Sequence, residues 1–380
     1  MLFSQVKGQE ELKQRIISVI DANHFPHAIL LSGKDGYGNL AMALAVAQYI
    51  SCTDKHHGTD SCGQCPSCRK YSRLIHPDLH MIFPTTTTSS VKANNESALF
   101  TDKFRQFVSE NGAYCTLGQW HTYMESDRKQ GVINVRDADK IVSQLTLKPY
   151  ESNVRTMLIW NADKMNNDAS DKILKILEEP YPNTVFILTT QHKERIIPTV
   201  LSRVQQITVP PIDNVSMQAI VKEMFPDISQ DELNLKISVA NGDFTALKNI
   251  DSYRQQELRQ IFVDINRIAM MYSKHILELT VYAEELSKRS REDLTEIFDY
   301  YANTIDKCFL FNNNVSADYH PLFWADGKFK DKFPSFITAN NIEGIYKLTE
   351  QTRQNIKYNA NAKINLTDTL IKLGQLLADR

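Results

Sequence analysis

The sequence predicts an α/β unit built on a parallel sheet in residues 1–210, followed by helices alone. Three observations carry that expectation. Apolar runs alternate with helical segments between Ala28 and Thr190, the pattern left when helices cover both faces of a parallel sheet. A glycine-rich loop, GKDGYG, joins the first apolar run to a helix-forming segment, giving the order strand, loop, helix. After the Pro210-Pro211 pair the apolar residues recur only at helical spacing.

The elements follow in order. Leu12, Ile16, Val19 and Ile20 share one face of a helix that ends at Asn23. Ala28 to Leu31 is short, apolar and met by glycines, so it reads as a buried strand. NLAMALAVAQYI is rich in strong helix formers, and HPDLHMIFP supplies a second strand. The stretch 84–131 opens with TTTTSSVKANNES and shows no period in its first part; it reads as a surface insertion, helical around Asp102 to Glu110. Val135, Ile141, Val142 and Leu145 fit a helix, and the strands TMLIW and TVFILTT bracket another, DASDKILKILEEP. Short helices then run to ANGDFTALKNI. Beyond them, Leu258, Ile261, Phe262, Ile265, Ile268 and Tyr272, and again Leu294, Ile297, Phe298, Tyr301, Ile305 and Cys308, mark a helical bundle. An aromatic-rich loop around NNNVSADYHPLFWADGKFKDKFPSF interrupts it.

Size and charge bound the function. A chain of 380 residues exceeds one typical core. With 43 basic and 45 acidic side chains there is no global field to draw the protein onto nucleic acid, so DNA contact requires a local patch or a partner. The N-terminus lacks the basic start and apolar run of a secretory signal, and no apolar stretch approaches the roughly 20 residues of a membrane helix. The expectation is a cytoplasmic chain. In a reducing compartment the crowding of four of the six cysteines between Cys52 and Cys68 points to metal rather than disulfides.

Those four are Cys52, Cys62, Cys65 and Cys68. C-x-x-C-x-x-C folds a short loop around a metal and an upstream thiolate closes a tetrahedron, which leaves no position for water: a structural zinc site. His56 or His57 in place of one cysteine, an iron-sulfur cluster, or four reduced thiols are the weaker alternatives. Arg69, Lys70 and Arg73 follow the cluster with Tyr71 as the sole interleaved aromatic, a weak nucleic-acid signal against the ordinary reading of a solvated basic helix start.

The glycine loop falls short of a phosphate-binding loop. G-x-x-x-x-G-K-[ST] needs a lysine to neutralise phosphate and a hydroxyl to hold magnesium. Here Gly33, Gly36 and Gly38 remain, but Asn39 stands at the lysine position and Leu40 at the hydroxyl. A glycine turn without ligand outweighs nucleotide binding without hydrolysis. After TMLIW come Asn161 and Ala162 where a working ATPase places aspartate and glutamate, with Asp163 displaced by two positions. The paired Glu178 and Glu179 before Pro180 read as helix-end solvation or pairing, without a catalytic role.

In order, FPHAILLSGKDGYGN, the four cysteines, HPDLHMIFP, ILKILEEPYPNTVFILTT and IIPTVLSRVQQI resemble the AAA+ clamp-loader family of bacterial DNA polymerase III, and within it the delta-prime branch. The match runs from Gly8 to Pro210; beyond, it rests on helical character and YNANAKINLTDTLIKL. The resemblance implies an AAA+ module over 1–210 with a zinc module at 51–75 and an insertion at 84–131, a helical lid over 211–250, and a collar over 251–380 that assembles subunits into a ring. It also implies that Ser202 and Arg203, in LSRV, match the family's SRC motif, whose arginine reaches the ATP site of the neighbouring subunit; Val204 replaces the cysteine. Such a finger stabilises charge on transferring phosphoryl oxygens. In isolation, an arginine at a helix end pairs with a local carboxylate. The lid's sensor arginine is missing, with Thr245 close to its place after Gly242.

The expected function is therefore a non-hydrolysing loader subunit in a hetero-oligomer. Its implied partners are the gamma or tau and delta subunits and, through the complex, the sliding clamp and primer-template DNA. The rivals are an active gamma/tau-like ATPase with an atypical loop, for which turnover would be sensitive to Asn39 or Asp163, and a zinc-dependent nucleic-acid-binding module acting through Arg69, Lys70 and Arg73.

Overall fold

Five strands pair in parallel in the order β2-β3-β4-β1-β5: β1 Ala28–Ser32, β2 Leu79–Ile82, β3 Arg155–Ile159, β4 Thr184–Thr190 and β5 Gln205–Thr208. This is the parallel α/β sheet that the alternation of apolar runs and helices predicts. The computed structural model describes residues 1–380 apart from 89–90, 126–130, 146–147, 251–252, 314–319, 323, 326, 359 and 379–380. Parts of the insertion, of the aromatic-rich loop and of YNANAKINLTDTLIKL thus lie outside the described residues. The chain divides into two units, Met1–Lys248 and Asn249–Arg380.

The helices of the first unit are α1 Glu10–Asp21, α2 Asn39–Ser51, α3 Pro66–Ser72, α4 Thr101–Asn111, α5 Leu117–Tyr123, α6 Val135–Leu145, α7 Asn167–Glu178, α8 Pro198–Leu201, α9 Asn214–Met224, α10 Gln230–Ala240 and α11 Phe244–Asn249. β4 is the central strand: Leu188 lies opposite Leu30 of β1, and Ile187 opposite Leu158 of β3. Leu30, Met157, Ile159, Phe186 and Leu188 share a core with Ile141 of α6, Ile173 and Ile176 of α7 and Val200 of α8. Helix α2 packs on β1 and β4. Alanines at 41, 43, 45 and 47 keep it slim, and all of them are buried. Burial on both faces is why these strands read as unbroken apolar runs.

Strand β5 was not legible in the sequence. QQIT lies at the sheet edge, where Gln205, Gln206 and Thr208 face solvent, so no apolar run marks it. The segment read as a surface insertion carries its own aromatic cluster. Phe104 stacks on Phe83 at 4.0 Å between centroids and meets Trp120 at 5.2 Å and Trp160 at 5.4 Å. Trp120 is fully buried and its indole N–H donates to Pro84 O at 2.9 Å, which satisfies the one polar atom it takes inside. The predicted helix around Asp102 to Glu110 is α4, whereas α5 carried no period long enough to read.

The second unit is all helical: α12 Tyr253–Met270, α13 Ile276–Ser287, α14 Arg291–Asn312, α15 Gly327–Lys332, α16 Ile342–Lys357 and α17 Ala362–Ala378. Leu258, Ile261, Phe262, Ile265, Leu294, Ile297, Phe298, Tyr301, Ile305 and Cys308 share one core, with Ile268 and Tyr272 packed against it. Inside, Tyr301 Oη donates to Asn266 Oδ1 at 2.7 Å while Asn266 Nδ2 donates to Phe262 O at 2.8 Å, so this buried polar pair is satisfied. Helix α17 crosses α12 at Gly374, where an added Cβ would overlap Ala269 O and lie 2.5 Å from Tyr272 Cδ1. No helix among the described residues is long and apolar enough to cross a membrane.

Candidate functional site

The four cysteines converge. Their sulfurs all lie within 4.8 Å of one another, with Cys52 3.6 Å from Cys62 and Cys62 4.0 Å from Cys68. Four thiolates about 2.3 Å from one zinc would be about 3.8 Å apart, so the spacing fits a tetrahedral ion. The backbone prepares the sulfurs for negative charge: Cys62 N–H donates to Cys52 Sγ at 3.4 Å, Cys65 N–H to Cys62 Sγ at 3.3 Å and Cys68 N–H to Cys65 Sγ at 3.4 Å. Burial pushes the Cys65 thiol up, but bonds from Thr53 and from the Cys68 N–H outweigh it and bring it down to about 6. Cys65 also caps α3, and Pro66 begins that helix.

Two aspartates hold this loop to its surroundings. Asp60 accepts the N–H groups of Phe3 and Ser4, each at 2.9 Å, and Asp21 accepts Tyr49 Oη at 2.9 Å and Gly58 N–H at 2.8 Å. His57 is occupied by Asp21 at 3.1 Å, and among the described residues the metal-competent group contains the cysteines without either histidine. Of the basic residues that follow, Lys70 pairs with Glu151. Tyr71 is buried with its hydroxyl 2.8 Å from Ser51 Oγ, so it has no face to offer a base.

The glycine loop closes on itself. Asn39 is 2% exposed, and its amide donates inward to Gly33 O and, at 3.3 Å, to Thr190 O. Its Oδ1 is buried without a donor. Gln9 Nε2 ties the loop down through Tyr37 O at 2.8 Å and Pro210 O at 2.6 Å. Gly36 and Gly38 are both buried. A Cβ at Gly36 would overlap the Asp243 carboxylate, which caps α11 through Ala246 N–H at 2.9 Å. At Gly38, with φ +95°, a Cβ would lie 2.7 Å from the Tyr114 ring. The Tyr114 hydroxyl accepts Lys7 N–H at 2.7 Å, and its ring meets Phe244 at 5.0 Å.

Acidic groups line the same region. Gln191 Nε2 donates to Asp35 Oδ2 at 2.6 Å. Burial pushes the Asp35 carboxyl up to about 7; a bond from Leu117 N–H opposes this, while Asp163 and Asp243 add to it. Asp163, its side chain 1% exposed, accepts Thr190 Oγ1 at 2.7 Å and lies 3.6 Å from Lys164 Nζ. A magnesium triphosphate needs cationic and hydroxyl donors here. The Asn39 amide is already engaged, Leu40 has no hydroxyl and three carboxylates surround the loop, so the residues do not fit that group.

Arg203 belongs to neither group. It follows α8, its Nη1 donating to Thr199 O at 2.8 Å and to Ser202 Oγ at 3.1 Å, with Nη2 2.5 Å from Glu178 Oε1. The local carboxylate expected for a helix-end arginine is thus the first glutamate of LEEP. The arginine side chain is 33% exposed and that of Glu178 49%. Tyr114, Asp243 and Glu178 are the residues that sequence reasoning missed or left without a role. Only the place of Asp243 beside Gly242 offered a signal.

A family model described as DNA polymerase III, delta subunit, matches residues 8–213. The chain is 25% identical over 242 residues to the DNA polymerase III subunit delta-prime of Bacillus subtilis, covering 62% of this chain and 60% of that protein. It is 26% identical over 191 residues to the subunit of that name from Haemophilus influenzae, covering 50% and 45%, and 23% identical over 248 residues to the one from Escherichia coli, covering 64% and 61%. The matched span thus covers less than two thirds of each relative.

Proposed function

The chain belongs to the DNA polymerase III delta subunit family, in its delta-prime branch, and from that premise we propose that it is a non-hydrolysing clamp-loader subunit lending Arg203 to a neighbour's ATP. In this reading residues 1–210 are the AAA+ module, 211–250 the lid and 251–380 the collar. The collar joins the chain to gamma or tau and delta subunits in a hetero-oligomeric ring. The assembly places the sliding clamp on primer-template DNA in the cytoplasm. The observation that carries the reading is a contrast: Arg203 stays partly exposed at the end of α8, while Asn39, at the lysine position of the chain's own loop, is buried against backbone carbonyls.

The Glu178 pair is compatible with such a finger. A half-exposed ion pair contributes about 0.2–1 kcal/mol, whereas an arginine finger increases turnover by about 10³ to 10⁵, or roughly 4–7 kcal/mol. The finger's transition-state stabilisation is therefore larger than the cost of breaking the surface pair, and Ser202 accepts from the guanidinium at its resting position. The four cysteines hold a structural zinc: its role is to fix the loop between α2 and α3, and four sulfur ligands leave no open position for a reacting group.

The test is reconstitution. Gamma or tau and delta subunits are mixed with and without this chain, and ring formation and clamp loading onto primed DNA are measured. The reading expects both to require the chain. Stable association with neither subunit, or efficient ATP turnover by the chain alone, would overturn it.

A further inference from the structure

The insertion and the glycine loop, two features that the loader reading leaves without a role, meet at Tyr114. We infer that Tyr114 of the insertion, together with Asp243, acts as an internal ligand of the glycine loop, joining α11 to the sheet where related folds use nucleotide. The inference goes beyond the loader reading and does not depend on it.

Three separate segments converge on the loop. From the insertion, the Tyr114 ring lies over Gly38. From the α10–α11 turn, the Asp243 carboxylate lies over Gly36 while capping α11. From the N-terminus, Lys7 N–H donates to the Tyr114 hydroxyl and Gln9 holds Tyr37 O. Tyr114 is 5% exposed and Asp35 7%, so protein atoms already cover the loop. The insertion can hold this position because Phe104, Phe107 and Trp120, all 0–1% exposed, lock it as a packed piece. Phe244, the first residue of α11, sits against the Tyr114 ring, with the Lys7 and Lys248 ammonium groups 5.1 and 4.9 Å from its centroid. The link between loop and α11 is thus made by the chain's own side chains and needs nothing from solution.

The experiment uses the purified full-length chain. Hydrogen exchange is followed by mass spectrometry in the wild type, Tyr114→Ala and Tyr114→Phe, and a fluorescent ATP analogue is titrated with magnesium into the wild type. Tyr114→Ala should speed exchange at least about tenfold in residues 34–40 and 244–248, while the second unit exchanges as before. Tyr114→Phe keeps the ring and loses the Lys7 bond, and should fall between the two. The titration should show no saturable binding up to millimolar analogue. Saturable binding by the wild type would overturn the inference, as would unchanged exchange of both segments in Tyr114→Ala. If that variant fails to fold, the titration and the Tyr114→Phe exchange decide, with wild-type exchange in the latter counting against it. None of these readouts involves a neighbour's ATP, so they fail or hold separately from the loader reading.

Discussion

Replacing Asp35 by asparagine should stabilise the first unit at pH 8 and not at pH 5. The Asp35 carboxyl sits beneath the glycine loop at 7% exposure, pushed up to about 7 from 3.8 by burial, with Asp163 and Asp243 adding to the shift. Because the folded-state value lies above the unfolded one, the group favours folding fully below 3.8 and loses that contribution as pH rises through about 7. At pH 8 an ionised, buried Asp35 therefore costs about 4 kcal/mol relative to its protonated form. Asparagine removes that cost and its amide oxygen can keep the bond from Gln191 Nε2, but its NH2 group then lies buried in the place of the other carboxylate oxygen, at a penalty of about 1–3 kcal/mol. The expected gain is about 1–3 kcal/mol at pH 8, with none or a small loss at pH 5. Urea unfolding followed by tryptophan fluorescence measures it, in a Trp324→Phe background that leaves the buried Trp120 and Trp160 to report on the first unit. A stability difference between variant and parent that stays constant from pH 5 to pH 8 would refute the reasoning.

Three further outcomes follow from the same geometry. Cys68→Ser removes a fully buried thiol of the four-cysteine group and, if that group holds zinc as proposed, should weaken zinc affinity by at least about a hundredfold, more than loss of an outer hydrogen-bond partner costs; metal analysis after dialysis against a chelator reads this out. Gly374→Ala forces a methyl against Ala269 O and the Tyr272 ring, and should destabilise the second unit by about 1–3 kcal/mol in urea while the first unit's transition stays in place. Glu178→Gln frees Arg203 from its ion pair. In a reconstituted loader it should raise ATP turnover by no more than about fivefold, the ceiling set by a surface pair; a loss as deep as that from removing the arginine would show the pair to be needed.

The parts of the fold that sequence made legible are those where burial is symmetrical or periodic. β1, β3 and β4 are covered on both faces and read as apolar runs; α12 and α14 bury one stripe each and read at helical spacing. The cysteine group was legible because its thiols are close in the chain and chemically distinctive. β5 was not, since an edge strand keeps polar residues on its open side. The covering of the glycine loop was not either: Tyr114 stands 76 residues from Gly38 and Asp243 207 from Gly36, and only the place of Asp243 beside Gly242 gave any local signal. The pairing of Glu178 with Arg203 across 25 residues likewise joined two motifs that the sequence presents separately.

The most direct test of the account is ATP hydrolysis by a loader reconstituted with Arg203→Ala, stimulated by primed DNA and the clamp. The account predicts an intact ring in which hydrolysis at the adjoining site collapses, with Arg203→Lys giving little rescue because an ammonium lacks the planar fork. Undiminished hydrolysis in a fully assembled ring would contradict it.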